Sequence, residues 1–595
     1  MSGAIRIASF SGTWGDRFTA LSEAVNGDPV DVVIGDYMAE VTMSMVAAAA
    51  SGPDRDRGGF YAGSFLRQVR PLLAAIADRR IKVVVNAGVF NPVGLAASVR
   101  SDIADRGLPL TVAHIEGDDL IDRVGELAQG GQLSHLDTGA AFAFDRGQVA
   151  AANAYLGGWG IARALAEGAD IVIAGRVADA SLVLGPAAWW HGWARDDWDR
   201  IAGAVVAAHI IECGPQAAGG NFSGFTAVPD NVLVAYPIAE VSDDGSSVIT
   251  KRTADGGTVT VDTVTAQLLY EIQGPRYLNP DVVLHVDSVR LAQQGQDRVR
   301  VSGVVGSPPP PTTKVGIHQL TGYRAGSWTF ATGLDIDAKV ELLRAQTAEA
   351  ARGLELDEVR FTPCGRPADD PAGQYEATVA VRVAAGSAIP GQVQAFLAKF
   401  ASYGLGSIPG FYLDQVNAPG PENRRVDYWP GLVRQEDLSH QVVLADGRRI
   451  DVPPPKTEPF GGQPATEPAE RPDAFLTGRT RRVPLGDLVY ARSGDKGGNA
   501  SLGVWTPGHR ADAYPWLAGF LTEGRLRELL GLADDVAVER YELPRLRGIS
   551  FVLRGFFGSS GSANLDLDQI GKSICEFLRA RHVDVPVTLL EGRRQ

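Results

Sequence analysis

Arg176 and Asp179 stand three positions apart in the stretch Ala174-Gly175-Arg176-Val177-Ala178-Asp179-Ala180-Ser181, directly after the apolar run Ala169 to Ala174. A guanidinium, a carboxylate and a hydroxyl so placed can do acid–base work on a bound oxyanion. Asp179 would move the proton and Arg176 would hold a carboxylate or phosphate through two parallel hydrogen bonds. Ser181 completes this catalytic set. The plainer alternative is a local ion pair that caps the next turn, and for one loop taken alone that alternative is favoured.

Its weight changes because other apolar runs end in the same way. Ile5 to Phe10 lead into a glycine-bearing turn ending in Asp16 and Arg17, and Val30 to Gly35 lead into Asp36, Tyr37 and Glu40. Ile81 to Val85 lead into Asn86-Ala87-Gly88 with Asn91-Pro92 beyond, and Leu110 to Ile115 into Glu116, Gly117, Asp118 and Asp119. Asp16, Arg17, Asp36, Asn86, Gly88 and Asn91 are therefore candidate substrate contacts. The glycine pattern is not that of a dinucleotide fingerprint.

Runs apolar at every residue are strands buried on both faces, the habit of parallel sheets covered by helices, and such sheets gather ligands beyond the strands' carboxyl ends. Helical periodicity is expected between them, from Phe65 to Arg80 and from Tyr155 to Ala166 with Gly168 as the stop. The expected class is α/β, with a doubly wound, mainly parallel sheet over about residues 1–230. A β-rich and α+β extension over about 231–451 follows, with a helix from Asp337 to Arg352, a strand from Tyr375 to Ala384 and a helix from Gln392 to Tyr403. Together residues 1–451 form the core. Residues 452–482, rich in proline, glycine and charge, read as a linker, and 483–595 as a small α+β domain.

That domain carries Arg492-Ser493-Gly494-Asp495-Lys496-Gly497-Gly498-Asn499, dense in charge and glycine but without the spacing of a Walker phosphate loop. Arg492, Ser493, Asp495, Lys496 and Asn499 join the substrate-contact set, against the alternative of a hairpin turn held by charge contacts. Gly219-Gly220-Asn221 form another glycine loop that permits close backbone approach to a ligand.

The 595 residues exceed one hydrophobic core, and 45% hydrophobic and 21% charged residues fit an ordinary globular chain. A net charge of −14 argues against a nucleic-acid partner. Cys213, Cys364 and Cys575 lack the spacing of a zinc site or disulfide framework. No signal peptide or membrane span is read, so a cytoplasmic location without membrane association is expected. The tryptophans between Trp189 and Trp198 read as a packing surface or interface.

The loops Trp14-Gly15-Asp16-Arg17, Asp36-Tyr37-Met38-Ala39-Glu40, Asn86-Ala87-Gly88, Ala174 to Ala180, Gly219-Gly220-Asn221-Phe222 and Arg492 to Asn499 carry a resemblance to the AtuA family of acyclic terpene utilisation proteins. The resemblance implies an AtuA core followed by a ferredoxin-like domain, and a catabolic role on branched acyl-CoA thioesters. On that footing the expected activity is hydration, dehydration or carbon–carbon cleavage, with the amides around Gly219 and Gly220 stabilising a thioester enolate. No cofactor is expected beyond the CoA moiety of the substrate, no metal, and a homo-oligomer. The alternative is a non-catalytic assembly partner of an acyl-CoA carboxylase or related pathway enzyme. A metal-dependent lyase using Asp36, Asp179 and Glu212 is a weaker reading, since scattered carboxylates form no ligand motif.

Overall fold

A computed structural model describes residues 3–50, 60–145, 147–414, 422–464, 478–558 and 561–591. The polar stretch Gly52 to Gly59 and residues 465–477 of the expected linker lie outside the described residues.

Five strands pair in parallel at the centre: β1 (Ile5–Ser11), β2 (Val32–Gly35), β3 (Lys82–Val85), β4 (Val112–Glu116) and, after β5 (Val149–Ala154) in another sheet, β6 (Ile171–Ile173). Their spatial order is β1-β2-β3-β6-β4. Successive residues of these strands feed two separate apolar clusters: Val32 and Ile34 one, Val33 the other; Val172 one, Ile171 and Ile173 the other. Each face is therefore buried, which accounts for the unbroken apolar runs. The helices Trp159–Ala166, Ser181–His191 and Trp198–Ile211 cover one face; Ala20–Asn26, Gly63–Val69 and Pro92–Asp105 cover the other.

The sheet as a whole is mixed. Antiparallel strands β7 (Pro237–Val241) and β8 (Ser247–Lys251), then Arg298–Ser302 and Arg290–Gly295, extend it beyond β1. Gln441–Val443 and Arg449–Asp451 extend it beyond β4, giving eleven strands. The alternating texture after Val232 marks these outer strands, which join the first sheet, together with a three-stranded sheet of Arg276–Leu278, Val283–His285 and Val305–Ser307.

A second sheet is built around the long strand Thr312–Thr332, which pairs with Asn423–Arg434, Thr378–Ser387 and β5. β5 ends at Ala154 and the next helix begins at Trp159. Tyr155 is therefore not the first residue of a helix, as its spacing predicts, but a turn residue between strand and helix. Pro71 likewise breaks the predicted Phe65–Arg80 helix into Gly63–Val69 and Leu73–Arg79.

The small domain has a four-stranded antiparallel sheet in the order Tyr490–Lys496, Asn499–Trp505, Gly548–Arg554, Ala537–Leu543, with its own core under the helices Tyr514–Phe520, Glu523–Leu530 and Ile574–Ala580. The Arg492 to Asn499 stretch is a β-hairpin in register from Tyr490↔Trp505 to Lys496↔Asn499, turning at Gly497 with φ of 62°. Among the tryptophans, Trp193 is buried and Trp189, Trp190 and Trp198 pack against the core. They make a packing surface inside one chain. No helix among the described residues is long and apolar enough to cross a membrane.

Candidate functional site

Because β2, β3, β6 and β4 run parallel, Asp36, Asn86, Arg176 with Asp179, and Asp118 emerge on the same edge of the sheet. Asn86 Nδ2 donates to Asp36 at 2.6 Å, and Asn86 Oδ1 accepts from the Tyr37 amide at 2.7 Å, so one amide fixes the neighbouring strand end. Arg176 Nη1 donates to Asp179 at 2.6 Å and to Val177 O at 2.8 Å. The local ion pair therefore exists, within a larger cluster. Asp118 accepts from the Arg176 amide at 2.8 Å and from Asn153 Nδ2 at 2.9 Å, and burial pushes its carboxyl up to about 6.

Burial, then the charge of Asp179, push the Asp36 carboxyl well above the usual carboxylate range, against the pull of Arg176. Burial opposes the charge on Arg176, but Asp179 outweighs it, with Tyr155 and Asp36 adding to the stabilisation. Two carboxyls thus face one cation, and burial with the charge of Asp179 favours the protonated form of Asp36.

A second layer comes from distant sequence. Lys314, near the start of the long strand, binds Glu40 at 2.6 Å, and Arg176 and Lys314 lie over the ring of Tyr155 at 3.9 and 4.8 Å. The Tyr155 hydroxyl meets that of Tyr428 at 3.2 Å. Burial disfavours the Glu40 anion, yet Lys314 and Lys496 outweigh it and hold the carboxyl well below its ordinary value. His209 Nε2 donates to the carbonyls of Gln267 and Tyr270 at 3.0 and 2.9 Å, and its Nδ1 lies 2.9 Å from Glu212.

The small-domain hairpin closes the cluster within the same chain. Lys496 lies 3.4 Å from Glu271, and burial opposes its charge, but Glu271 and Glu40 outweigh burial, with Asp179 also in range. Arg492 is buried, donates to Asn221 O at 2.8 Å and to the side chain of Gln216, and stacks over Tyr270 at 4.6 Å. Asp495 is pushed from 3.8 up to about 7 by burial, then by Glu271, against Lys572. A carboxyl protonated in the fold but not in the open chain stabilises below its unfolded value and loses that contribution as pH rises through the folded one. Stability should therefore fall as pH rises from about 4 towards 7. Asp495→Asn should flatten that slope in thermal melts taken between about pH 5 and pH 8.

Several sequence-predicted contacts lie elsewhere or are already occupied. Asp16 accepts from the Gly12 and Arg17 amides at 2.8 Å and from the Tyr236 hydroxyl, and Arg17 binds Val234 O and Glu23; they form a separate set. Asn91 caps the helix Pro92–Asp105 by accepting from Gly94 N at 2.8 Å. Ser181 Oγ donates to Leu156 O at 3.3 Å, which spends its hydroxyl on the backbone. The amides of Gly219 and Gly220 donate to Gln216 O and Pro215 O, so these two donors are already used within the turn. That loop instead docks the small domain through Asn221 O. Ser493 Oγ donates to Gly571 O and accepts from Cys575 N inside the small domain, and Asn499 ties it to Asp137 at 2.9 Å. Asp36, Asp179 and Glu212 form no metal-holding group, and no such group of three or more His, Cys, Asp or Glu occurs among the described residues.

Gly88 matters for packing: a Cβ there would lie 2.5 Å from Ala174 O, the last carbonyl before the Arg176 loop. Gly88→Ala should cost about 1–3 kcal/mol by pushing two strand ends apart. Urea denaturation would measure it.

Sequence reasoning left Lys314, Tyr155, Glu271 and Asp118 out of the contact set. Lys314 lies within a strand and carried no signal; Asp118 was visible as a polar residue after an apolar run. The family model described as acyclic terpene utilisation family protein AtuA matches residues 5–444, and the AtuA ferredoxin-like domain matches 483–584. No curated protein and no solved structure matches the chain. With the core and the small domain each matched, and the two meeting at one charged cluster, the chain belongs to the AtuA family of acyclic terpene utilisation proteins.

Proposed function

We propose that this protein is a lyase of branched acyl-CoA catabolism that removes or adds water beside the thioester. The observation carrying this reading is the pair Asp36 and Asp179 around Arg176, one carboxyl shifted towards its protonated form and the other bound to the cation. Such a pair supplies what a β-elimination of water needs: a base for the α-proton and an acid for the departing hydroxyl. Asp179 takes the proton and Asp36, positioned by Asn86, protonates the leaving oxygen. Negative charge growing on the thioester oxygen is stabilised by the cations Lys314 and Lys496. Membership of the acyclic terpene utilisation family AtuA supports a branched substrate.

The test is incubation of the full chain with saturated, unsaturated and hydroxylated branched acyl-CoAs, read by mass spectrometry. Gain or loss of one water on an unsaturated or hydroxylated thioester is expected, with solvent deuterium entering at the α-carbon. Chain cleavage without water exchange would replace the hydro-lyase assignment by a carbon–carbon lyase. No reaction in any of them would defeat the proposal.

A further inference from the structure

Taking the charged cluster as the acyl-CoA site, and so resting on that reading for the ligand, we infer that Arg324 and Arg382 bind the phosphates of the coenzyme A moiety on the outer face of the second sheet. Register sets Arg324 opposite Gly386, Gly326 opposite Ala384, and Trp328 opposite Arg382. Directly opposed residues share a face, as do residues two apart along a strand. Both arginines therefore project from one side. Val379, Val381 and Val383, on the other side, enter the core under the helices Ile336–Ala351 and Gln392–Ser402. Between the arginines the floor carries no side chain at Gly326, where an added Cβ would lie 3.4 Å from Arg382 Nε.

Arg324 Nη1 donates to Asn564 O at 2.7 Å and Arg382 Nη1 to Leu565 O, both backbone carbonyls of the small domain; among the described residues neither arginine forms an ion pair. The carboxylates nearby are committed elsewhere, Glu358 to Arg360 at 2.5 Å and Asp357 to Arg425 at 2.9 Å. Asp566 is in electrostatic range of Arg382, but the charged neighbours of Arg324 are Arg382 and Arg425, which join burial in opposing its charge. No nitrogen of either guanidinium is buried without a partner, so the N–H groups not spent on the two carbonyls face solvent. Docking alone needs only neutral donors, whereas two guanidiniums side by side repel. A phosphate offsets that repulsion and accepts from both forks. Trp328, half-buried opposite Arg382, adds an aromatic surface on which an adenine can stack. The face is also within reach of the cluster. A Cβ on Gly561 would lie 3.6 Å from Asp495, and Asn564, which Arg324 binds, follows three residues later, a span of at most about 11 Å. Coenzyme A carries its phosphates at the far end of a pantetheine arm, so a thioester beside Lys314 and Lys496 sets them away from the acid–base pair.

The experiment is calorimetric binding of adenosine 3′,5′-bisphosphate, the phosphate-bearing end of coenzyme A, and of inorganic phosphate to the full chain. The bisphosphate should bind at least about tenfold more tightly than inorganic phosphate. Arg324→Gln and Arg382→Gln should each weaken it at least about tenfold, and should lessen the affinity it loses on raising salt. Arg382→Lys keeps the charge and a donor for Leu565 O but loses the fork, and should weaken it about threefold or more. If a glutamine variant melts in two transitions, its small domain has undocked and Arg382→Lys decides: a loss of affinity upholds the inference, and unaltered affinity ends it. Failure of the bisphosphate to bind the unmodified protein would overturn it, as would binding that both glutamine variants leave intact. Inorganic phosphate binding as tightly as the bisphosphate would also overturn it, giving the arginines to free phosphate. Bisphosphate binding without turnover of any acyl-CoA would defeat the lyase reading and leave these arginines in place. Water exchange on an acyl-CoA without bisphosphate binding would do the reverse.

Discussion

Asp179→Asn should slow turnover of an accepted acyl-CoA by roughly two to four orders of magnitude, because asparagine keeps the size and reach of the side chain but cannot accept the α-proton as a base. Stability should change little, for a reason visible in the cluster. Arg176 is buried at 2% exposure and would lose the partner now 2.6 Å away. Asp36, however, is held in its protonated form partly by the charge of Asp179. Once that charge is gone the repulsion disappears, Asp36 ionises more readily, and Arg176 regains a counter-ion. The double variant Asp36→Asn/Asp179→Asn has no such reserve and should lose about 3–5 kcal/mol, the cost of a stranded buried charge. The pH profile gives an independent reading: activity should fall as pH rises through the elevated value of Asp36, where the acid is lost. A single Asp179→Asn variant that unfolds, or one with unaltered turnover, would return Arg176 and Asp179 to the role of a structural ion pair.

Arg492→Ala should separate the two domains. The guanidinium fills the junction at 5% exposure, bonds two partners on the core and stacks on Tyr270. Its removal leaves Asn221 O and the Gln216 amide without their donor, a loss of about 2–5 kcal/mol of docking free energy. The small domain has its own core of Leu502, Phe551, Leu517 and Leu578, so it should stay folded. Differential scanning calorimetry should then show two transitions for the variant and one for the unmodified protein. Activity should fall in parallel, because Lys496 leaves the cleft with its domain. A single transition at an unchanged temperature would mean that the aromatic contacts of Phe222 with Tyr490 and Trp505 suffice to hold the junction.

The legible part of the site is the part made by strand ends. Asp36, Asn86, Arg176 and Asp179 each follow a run of residues apolar on both faces, and a parallel sheet brings such ends together whatever the spacing between them in the chain. Tyr155 was misplaced because Trp159, Ala162 and Ala166 extend a helical spacing backwards over it, while pairing with the long strand keeps Val149–Ala154 extended. Periodicity is local and cannot register that pairing. Lys314 and Glu271 were silent for the same reason: a lysine or glutamate is ordinary where it stands, and only tertiary contact with Glu40 or Lys496 turns it into part of a cleft. The Gly219 and Gly220 amides show the opposite error. Their residue type suited an anion, but turn geometry had already claimed both donors.

The order in which the sheet is assembled bears on how the protein is made. β4 pairs on one side with β6 and on the other with Gln441–Val443, a partner encoded far downstream. On the ribosome its outer edge therefore stays unpaired while the whole second sheet is being synthesised. At about 5–20 residues per second, that is an interval of roughly fifteen seconds to a minute. Throughout it, the hydrogen-bonding groups along Val112–Glu116 are a template for any extended chain nearby, including a second nascent copy. Holdase chaperones and the pace of translation thereby become determinants of yield, and expression at reduced temperature acts on this interval rather than on the stability of the finished fold.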